Sequence, residues 1–175
     1  MSATSLFRKM NSQYKLHTFS DGTTNEAQLQ SIYDLNQSNT PEVGSLESTH
    51  HLKQLIELSA YNLLVLDDDK IVGFIICMRE SSGYGSENYK FFTQRLKKFL
   101  YVDRIAIDEQ HRRAGLGQAI YENIFVQAKN NDLPIALEVN TQPVNQPSLN
   151  FHKKMGFDKV GVRDFDDHSV AYFIK

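Results

Sequence analysis

One stretch in the middle of the chain constrains the fold most strongly, because in it an apolar strand runs through a glycine-containing turn into a helix. It reads RIAIDEQHRRAGLGQ over residues 104–118. The two glycines, Gly115 and Gly117, allow the backbone to bend tightly and to bring its N–H groups close to a ligand. The unpaired N–H groups of a helix's first turn, with the helix dipole behind them, attract anions, and Arg112 and Arg113 add positive charge beside them. The pattern therefore favours an anion-binding turn; the alternative is a tight connection with exposed arginines.

Motif comparison excludes two common kinds of phosphate-binding loop. The turn lacks the Gly-Lys-Ser/Thr ending of a Walker A loop, and it lacks the GxGxxG of a dinucleotide-binding fold.

The composition describes an ordinary globular protein. Its 175 residues are 41% hydrophobic and 23% charged, with a net charge of −2, so bulk charge gives no reason to expect binding to nucleic acid. The lone cysteine, Cys77, cannot form an internal disulfide, which fits a reducing compartment. The longest apolar stretch, residues 71–78, is too short to span a membrane. These features predict a cytoplasmic protein with a loose N-terminus over residues 1–13, no signal peptide, and a single domain over residues 14–175.

Strands and helices alternate along the chain, which predicts an α/β fold with a mixed sheet. Pro147 suits the first position of a short helix and Gly156 suits its left-handed stop, whereas Thr23 or Thr24 suits the start of the first helix. The pattern predicts strands over residues 14–19, 62–66, 70–78, 99–107, 135–139, 157–162 and 169–174, and helices over 24–36, 48–59, 89–98, 115–130 and 147–155.

Two motifs resemble those of the GNAT superfamily of N-acetyltransferases. Residues 112–117, RRAGLG, match that family's Q/R-x-x-G-x-G/A pyrophosphate loop, and residues 151–157, FHKKMGF, resemble its FYEKLGF signature. Asn145 stands where the family's coenzyme-contacting asparagine usually falls. Further segments, at 101–104 and 138–140, resemble an uncharacterised bacterial branch. The resemblance implies a mixed, mostly antiparallel sheet flanked by helices, with splayed fourth and fifth strands.

The resemblance also implies an acetyl-CoA cosubstrate. The pantetheine arm would lie between the splayed strands on main-chain groups of Ile105 and Ile107, and the turn from Arg113 to Gln118 would wrap the pyrophosphate. The residues expected to bind the cosubstrate are Ile105, Ala106, Ile107, Arg112, Arg113, Ala114, Gly115, Leu116, Gly117, Gln118 and Asn145.

The activity implied is transfer of an acetyl group to a primary amine by direct attack in a ternary complex. A lysine-like amine with a pKa near 10.4 is almost fully protonated near pH 7.4, and removing that proton costs roughly 4 kcal/mol. A CoA thiolate resembling that of cysteine, with a pKa of about 8.5, leaves without much help, so a general base matters more than a general acid. Glu138 matches a position where family members carry a catalytic glutamate, and is the candidate base.

Each catalytic candidate has an alternative. Glu138 could instead be an exposed strand residue or a partner of Arg104. Asp103 and Glu109 are weaker candidate bases; Asp103 alternates with Ile105 along its strand, which could point both side chains toward the same face of the cleft. His152 replaces the family's usual tyrosine and is the candidate acid; otherwise it is a polar helix residue facing solvent.

Several other sequence features do not decide between the possible functions. The adjacent pair His50-His51 and the run Asp67-Asp68-Asp69 lack metal-ligand spacing, so no metal is expected. The aromatic residues Tyr84, Tyr89, Phe91 and Phe92 could line the acceptor pocket or pack a loop. A non-catalytic acyl-CoA-binding or regulatory module on the same fold is the alternative function. The acceptor is not readable from the sequence, no membrane or nucleic-acid partner is expected, and a homodimer is compatible with the chain.

Overall fold

The computed structural model describes residues 13–175, so the predicted loose terminus lies outside the described residues except for residue 13. The elements follow the predicted alternation. The strands are β1 (Tyr14–Thr18), β2 (Tyr61–Asp67), β3 (Lys70–Arg79), β4 (Leu100–Ile107), β5 (Ile135–Gln142), β6 (Asp158–Asp164) and β7 (Ser169–Ile174). The helices are α1 (Glu26–Gln37), α2 (Thr49–Leu58), α3 (Glu87–Thr93), α4 (Leu116–Asn130) and α5 (Gln146–Lys154).

The strands form one mixed sheet in the order β1-β2-β3-β4-β5-β7-β6. Every neighbouring pair is antiparallel except β4 and β5, which are parallel. That parallel pair is joined only at Leu100–Ile135 and Tyr101–Ala136, although each strand has eight residues. The predicted α/β class, the mostly antiparallel sheet and the splayed fourth and fifth strands are therefore confirmed.

Several predicted helix boundaries are wrong because side-chain caps fix them elsewhere. Helix α1 begins after Asn25, whose Oδ1 accepts from the Gln28 backbone while the Gln28 side chain accepts from the Asn25 N–H. This reciprocal capping box outcompetes the two threonines. Ser86 caps α3, which runs over 87–93 rather than 89–98. In α5 the cap is Asn145, so Pro147 takes the second helical position, where its missing N–H is still harmless.

The two faces of the sheet carry separate cores. Helices α1, α2 and α3 cover one face, where the buried side chains include Ile32, Leu52 and Phe92. Helices α4 and α5 cover the other face, and Ile120 and Ile124 of α4 are fully buried there. Burial of both faces explains why the central strands read as nearly continuous apolar runs.

A bulge in β4 changes which side chains face which core. Ile76 pairs with Arg104 and the next residue, Cys77, pairs with Val102, so Asp103 is the extra residue. A bulge reverses the alternation of side chains beyond it. The expectation that Asp103 shares a face with Ile105 is therefore wrong: Ile105 packs on the α4 side, whereas Asp103 pairs with Arg104 on the α1 side.

Asp103 and Arg104 form a buried ion pair. Arg104 Nε donates to Asp103 Oδ2 at 2.8 Å, and the side chains are only 7% and 4% exposed. Arg104 Nη1 also donates to Asn36 Oδ1 at 2.9 Å and to the Gly44 carbonyl at 3.2 Å, which ties the connection after α1 to β4. A buried ion pair is tolerated where further hydrogen bonds satisfy its remaining polar atoms, as they do here for Arg104.

We expect Arg104→Met to lower the free energy of unfolding by about 3 kcal/mol, because it leaves the Asp103 carboxylate buried without its cation. Urea unfolding measures the change. Arg163→Met is the matched control, because Arg163 and Glu87 form an ion pair that is 40% and 51% exposed, and breaking it should cost less than about 1 kcal/mol. Equal losses in the two variants would contradict this account of the buried pair.

Candidate active site

The gap between β4 and β5 is lined on one side by main-chain groups of β4. Asp108 N–H donates to the Val72 carbonyl at 2.9 Å, and Ile107 stands opposite Gly73. Because hydrogen-bonded and non-hydrogen-bonded residues alternate in an antiparallel ladder, the N–H and C=O groups of Ile105 and Ile107 point away from β3 and into the gap. Ala106, also expected at the cosubstrate, has main-chain groups that face β3 and a side chain in the core under α1.

Strand β5 supplies the opposite wall. Ile135 and Lys175 exchange both of their backbone hydrogen bonds, at 2.8 and 2.9 Å. By the same alternation, the main-chain groups of Glu138 point away from β7 and into the gap. The gap is thus a strand-shaped slot lined on both sides by polar main-chain groups that no neighbouring strand pairs, although the Ile107 carbonyl accepts from Arg112 Nε at 3.4 Å. A ligand containing amides can occupy such a slot in the manner of an added strand.

The turn before α4 offers a row of N–H groups at the wide end of this slot. Over residues 113–118, none of the backbone N–H groups donates to an acceptor in residues 13–175. Arg113 and Gly115 both have positive φ, 64° and 82°, and the latter conformation favours glycine. An ideal Cβ built on Gly115 would meet nothing within 4 Å, so the turn is open on that side. The geometry is that of an anion-binding nest at a helix N-terminus.

Glu138 projects from β5 beside the slot, and its carboxyl group is enclosed although the residue retains some solvent contact. Tyr101 Oη–H donates to Oε2 at 2.8 Å and Asn88 Nδ2 donates to Oε1 at 3.1 Å. Burial raises the pKa of Glu138 to about 8; the negative charge of Asp103 adds to the rise, and the two hydrogen bonds oppose it. Neither alternative for Glu138 holds, because it is not an exposed strand residue and Arg104 pairs with Asp103.

The residues that hold Glu138 were missed by sequence reasoning. Asn88 lies on α3, and its Oδ1 accepts from Tyr172 Oη–H at 2.8 Å, so α3 and β7 both support the carboxyl group. Tyr101 is fully buried, and burial raises its pKa well above the usual value. The hydroxyl of Tyr101 in a largely apolar strand was the signal available, although Asp103 and Arg104 interrupt the same strand. No local signal marked Asn88, since its contact with Glu138 joins residues 50 positions apart.

Comparison with known proteins decides the family. A sequence model described as "Acetyltransferase (GNAT) family" matches residues 29–157. The chain belongs to the acetyltransferase (GNAT) family. An N-alpha-acetyltransferase of Sulfurisphaera tokodaii is 34% identical over 114 residues, which cover 64% of this chain and 63% of that protein, less than two thirds of its length.

Solved structures of low sequence identity have the same fold. Ard1 from Thermoplasma volcanium has a TM-score of 0.69 at 19% identity, covering 93% of this chain and 97% of its own. Arabidopsis thaliana NAA60 in complex with acetyl-CoA has a TM-score of 0.69 at 12% identity, with the same coverage of both chains.

His152, in the second GNAT-like motif, is buried at 5% exposure and does not face solvent. Its Nδ1–H donates to the Ser148 carbonyl at 2.8 Å, and its Nε2 accepts from Tyr121 Oη–H at 2.7 Å. Burial lowers the pKa of His152 to about 4. The imidazole is therefore neutral near pH 7, and both of its nitrogens are engaged within the protein. Its predicted role as an acid stays a prediction, which this geometry does not favour.

Asn145 has a structural task at the start of α5. Its Oδ1 accepts from the Ser148 backbone N–H at 3.2 Å, and this caps the helix. The bond uses the carbonyl end of the amide and leaves the Nδ2 end for another acceptor. Contact with a cosubstrate stays a prediction for that end of the side chain.

The remaining candidates are placed elsewhere. Glu109 is exposed in a short turn after β4, and Asp103 is committed to Arg104. Tyr89 and Phe92 are buried in the α3-side core, and Tyr84 packs against it. Within residues 13–175, no three His, Cys, Asp or Glu side chains are arranged to hold a metal ion, and no helix is long and apolar enough to cross a membrane.

The connection between α1 and α2, residues 38–48, spans the gap on the α1 side of the sheet. The Gly44 carbonyl accepts from Arg104 of β4, and the Pro41 carbonyl accepts from Asn140 Nδ2 of β5 at 3.4 Å. Arg112 Nη2, from the turn before α4, donates to Asn39 Oδ1 at 2.9 Å. A molecule that approaches Glu138 from the α1 side therefore passes this connection.

We expect His152 to contribute stability that is lost as the pH falls from 6.5 toward 4, whereas Glu138, with its pKa raised to about 8, contributes in the opposite direction. The folded-state pKa of His152, about 4, lies below the usual 6.5, so between these pH values the unfolded chain binds more protons than the folded protein. This proton binding stabilises the unfolded chain and lowers the free energy of unfolding. The contribution is roughly 3 kcal/mol, fully present above pH 6.5. In urea unfolding, the difference in stability between wild type and His152→Gln should shrink as the pH falls through this interval, and His50→Gln, at an exposed position, is the matched control. Parallel profiles for wild type and His152→Gln would contradict the burial argument.

Proposed function

We propose that this GNAT family member transfers the acetyl group of acetyl-CoA to a primary amine by direct attack, and that the acceptor is the α-amine of a peptide or protein. The observation that carries the proposal is the enclosed Glu138 carboxyl group at the edge of the slot, with its pKa near 8. The N-alpha-acetyltransferase to which the chain is 34% identical supports this class of acceptor.

The slot suits the cosubstrate. The pantetheine arm carries two amides, which can pair with the main-chain groups of Ile105 and Ile107 on one side and of Glu138 on the other. The diphosphate fits the unpaired N–H groups of residues 113–118, where the dipole of α4 also favours negative charge. The likeness to NAA60 in complex with acetyl-CoA agrees with this placement.

The pKa of Glu138 favours an α-amine over a lysine side chain. An α-ammonium has a pKa of about 7.7–8.0, so transfer of its proton to a carboxylate with a pKa of about 8 is nearly free of cost. A lysine ammonium has a pKa of about 10.4, more than two units above that of Glu138, so transfer of its proton to Glu138 costs roughly 3 kcal/mol. Matching of donor and acceptor pKa values makes Glu138 a suitable base for an N-terminal amine.

Direct attack agrees with the placement of the sole cysteine, whose thiol cannot act as a nucleophile. The sole cysteine, Cys77, is fully buried in β3, and burial raises its pKa far above the usual value. Glu138 therefore takes the proton from the attacking nitrogen, directly or through water, as the nitrogen–carbon bond forms and the carbon–sulfur bond breaks. The departing thiolate resembles that of cysteine, with a pKa of about 8.5, and needs little protonation near neutral pH.

The phosphate-binding turn gives a first test. Gly117→Val should abolish acetyl-CoA binding, because a Cβ there already makes van der Waals contact with Ile107 at 3.5 Å and Phe151 at 3.6 Å, which leaves no room on that side for the two γ-methyl groups. A branched side chain then has to push the first turn of α4 out of position. Calorimetry with acetyl-CoA measures the loss, and circular dichroism checks that the variant is folded. Gly22→Val is the control, since a Cβ at Gly22 meets nothing within 4 Å. A folded Gly117→Val protein with unchanged affinity would refute the assignment.

The base is tested by turnover with peptides that have a free α-amine. Glu138→Gln should lower the rate of CoA thiol release by about 10²- to 10⁴-fold near pH 7, the usual contribution of a general base. Its remaining activity should recover as the pH rises through the pKa of the amine, because the neutral amine then needs no base. Loss of turnover without such recovery would assign Glu138 another role. Acetyl-CoA binding without thiol release from any amine would instead favour the non-catalytic acyl-CoA-binding module.

A further inference from the structure

Two adjacent arginines of the phosphate-binding turn have different surroundings. Arg113 is exposed and stands in the left-handed region at φ 64°, within the row of unpaired N–H groups. Arg112 turns its guanidinium the other way, toward the connection of residues 38–48. There Nη2 donates to Asn39 Oδ1 at 2.9 Å, while Nε lies 3.4 Å from the Ile107 carbonyl at the end of β4. Both residues belong to the pyrophosphate motif by sequence, yet of the two only Arg112 has its guanidinium bound to residues 38–48 within the described part of the chain.

The Asn39 side chain that Arg112 contacts is held in one orientation. Asn39 is 8% exposed, and its Nδ2 donates to the Leu35 carbonyl at the end of α1 at 2.8 Å. Its amide is thereby fixed with Oδ1 toward Arg112, which is the donor to that oxygen within residues 13–175. Without Arg112, a nearly buried carbonyl oxygen loses its partner, and an unsatisfied buried acceptor is costly.

Together with Arg104 and Asn140, Arg112 is one of three side chains that hold the connection of residues 38–48 by hydrogen bonds. Arg104 of β4 holds the Gly44 carbonyl, and Asn140 of β5 holds the Pro41 carbonyl across the gap. The tie through Arg112 differs from these two because it starts in the turn that would bind the diphosphate. It therefore joins the cosubstrate end of the site to the wall past which an amine reaches Glu138.

We propose that Arg112 is a positioning residue for the acceptor: it holds residues 38–48 in place through Asn39 and contributes little to the affinity for acetyl-CoA. The proposal rests on the proposed function, because it takes acetyl-CoA and a peptide amine as the two ligands. It separates the roles of two neighbouring arginines that the motif alone treats alike.

Arg112→Gln and Arg113→Gln form a pair matched in position, exposure and lost charge. Calorimetry measures acetyl-CoA binding to each variant, and then binding of a peptide with a free α-amine to each protein saturated with CoA. Arg112→Gln should weaken peptide binding by about tenfold, the worth of one good hydrogen bond, and leave acetyl-CoA affinity within twofold of wild type. Arg113→Gln should weaken acetyl-CoA binding instead. An Arg112→Gln protein that loses acetyl-CoA affinity and keeps peptide affinity would overturn the proposal.

A second measurement depends on neither turnover nor peptide. Hydrogen–deuterium exchange of the amides in residues 38–48 should be faster in Arg112→Gln than in wild type or Arg113→Gln. Asn39→Ala should raise exchange in the same segment, and adding Arg112→Gln to it should have little further effect, because both remove one contact. Unchanged exchange in Arg112→Gln would overturn the proposal. Absence of turnover with every peptide would count against the proposed function alone, since exchange and acetyl-CoA affinity still decide what Arg112 holds.

Discussion

The separation of β4 from β5 after two paired residues is the constraint on which the rest of this structure depends. Peptide groups that leave a sheet need other partners, because an unpaired buried N–H or C=O costs free energy. Here the main-chain groups of Ile105, Ile107 and Glu138 point into the opening, and the N–H groups of the turn before α4 have no acceptor within residues 13–175. The sheet is thereby built around a slot that a ligand with amides and an anionic end can fill.

Two acidic side chains near this slot differ in whether a cation lies beside them. Asp103 lies against the guanidinium of Arg104, so its charge is compensated inside the protein. Within residues 13–175 the side-chain donors to Glu138 are the neutral groups of Tyr101 and Asn88, and burial together with the nearby Asp103 makes its ionised form costly. Pairing the cation with one carboxylate leaves the other able to accept a proton near neutral pH. The β4 bulge produces this division, because it turns Asp103 toward the α1 side.

Sequence reasoning predicted the fold and named Glu138 as the candidate base, but it did not find the residues that fix the helix ends or hold the candidate side chains. The strand–turn–helix around Gly115 and the alternation of elements are local patterns, and they predicted the anion-binding turn and the α/β class; the slot and the candidate base Glu138 were expected from the resemblance to the GNAT superfamily. The boundaries of α1 and α3 were missed because single side chains, Asn25 and Ser86, set them. Burial of His152 was missed as well, since its partner Tyr121 lies 31 residues away on another helix.

The sequence by itself determined the family, the order of strands and helices, and the glycines without which the turn cannot form. The family follows from the resemblance of two motifs, RRAGLG and FHKKMGF, whereas the elements and the glycine positions follow from periodicity and from conformational limits that act within a few residues. Only the tertiary structure decided that Arg112 faces Asn39, that Arg104 takes Asp103 and that Glu138 is held by Asn88. Contacts of this kind join residues far apart in the chain, and their charge states depend on burial, which exists only after the helices have packed on the sheet.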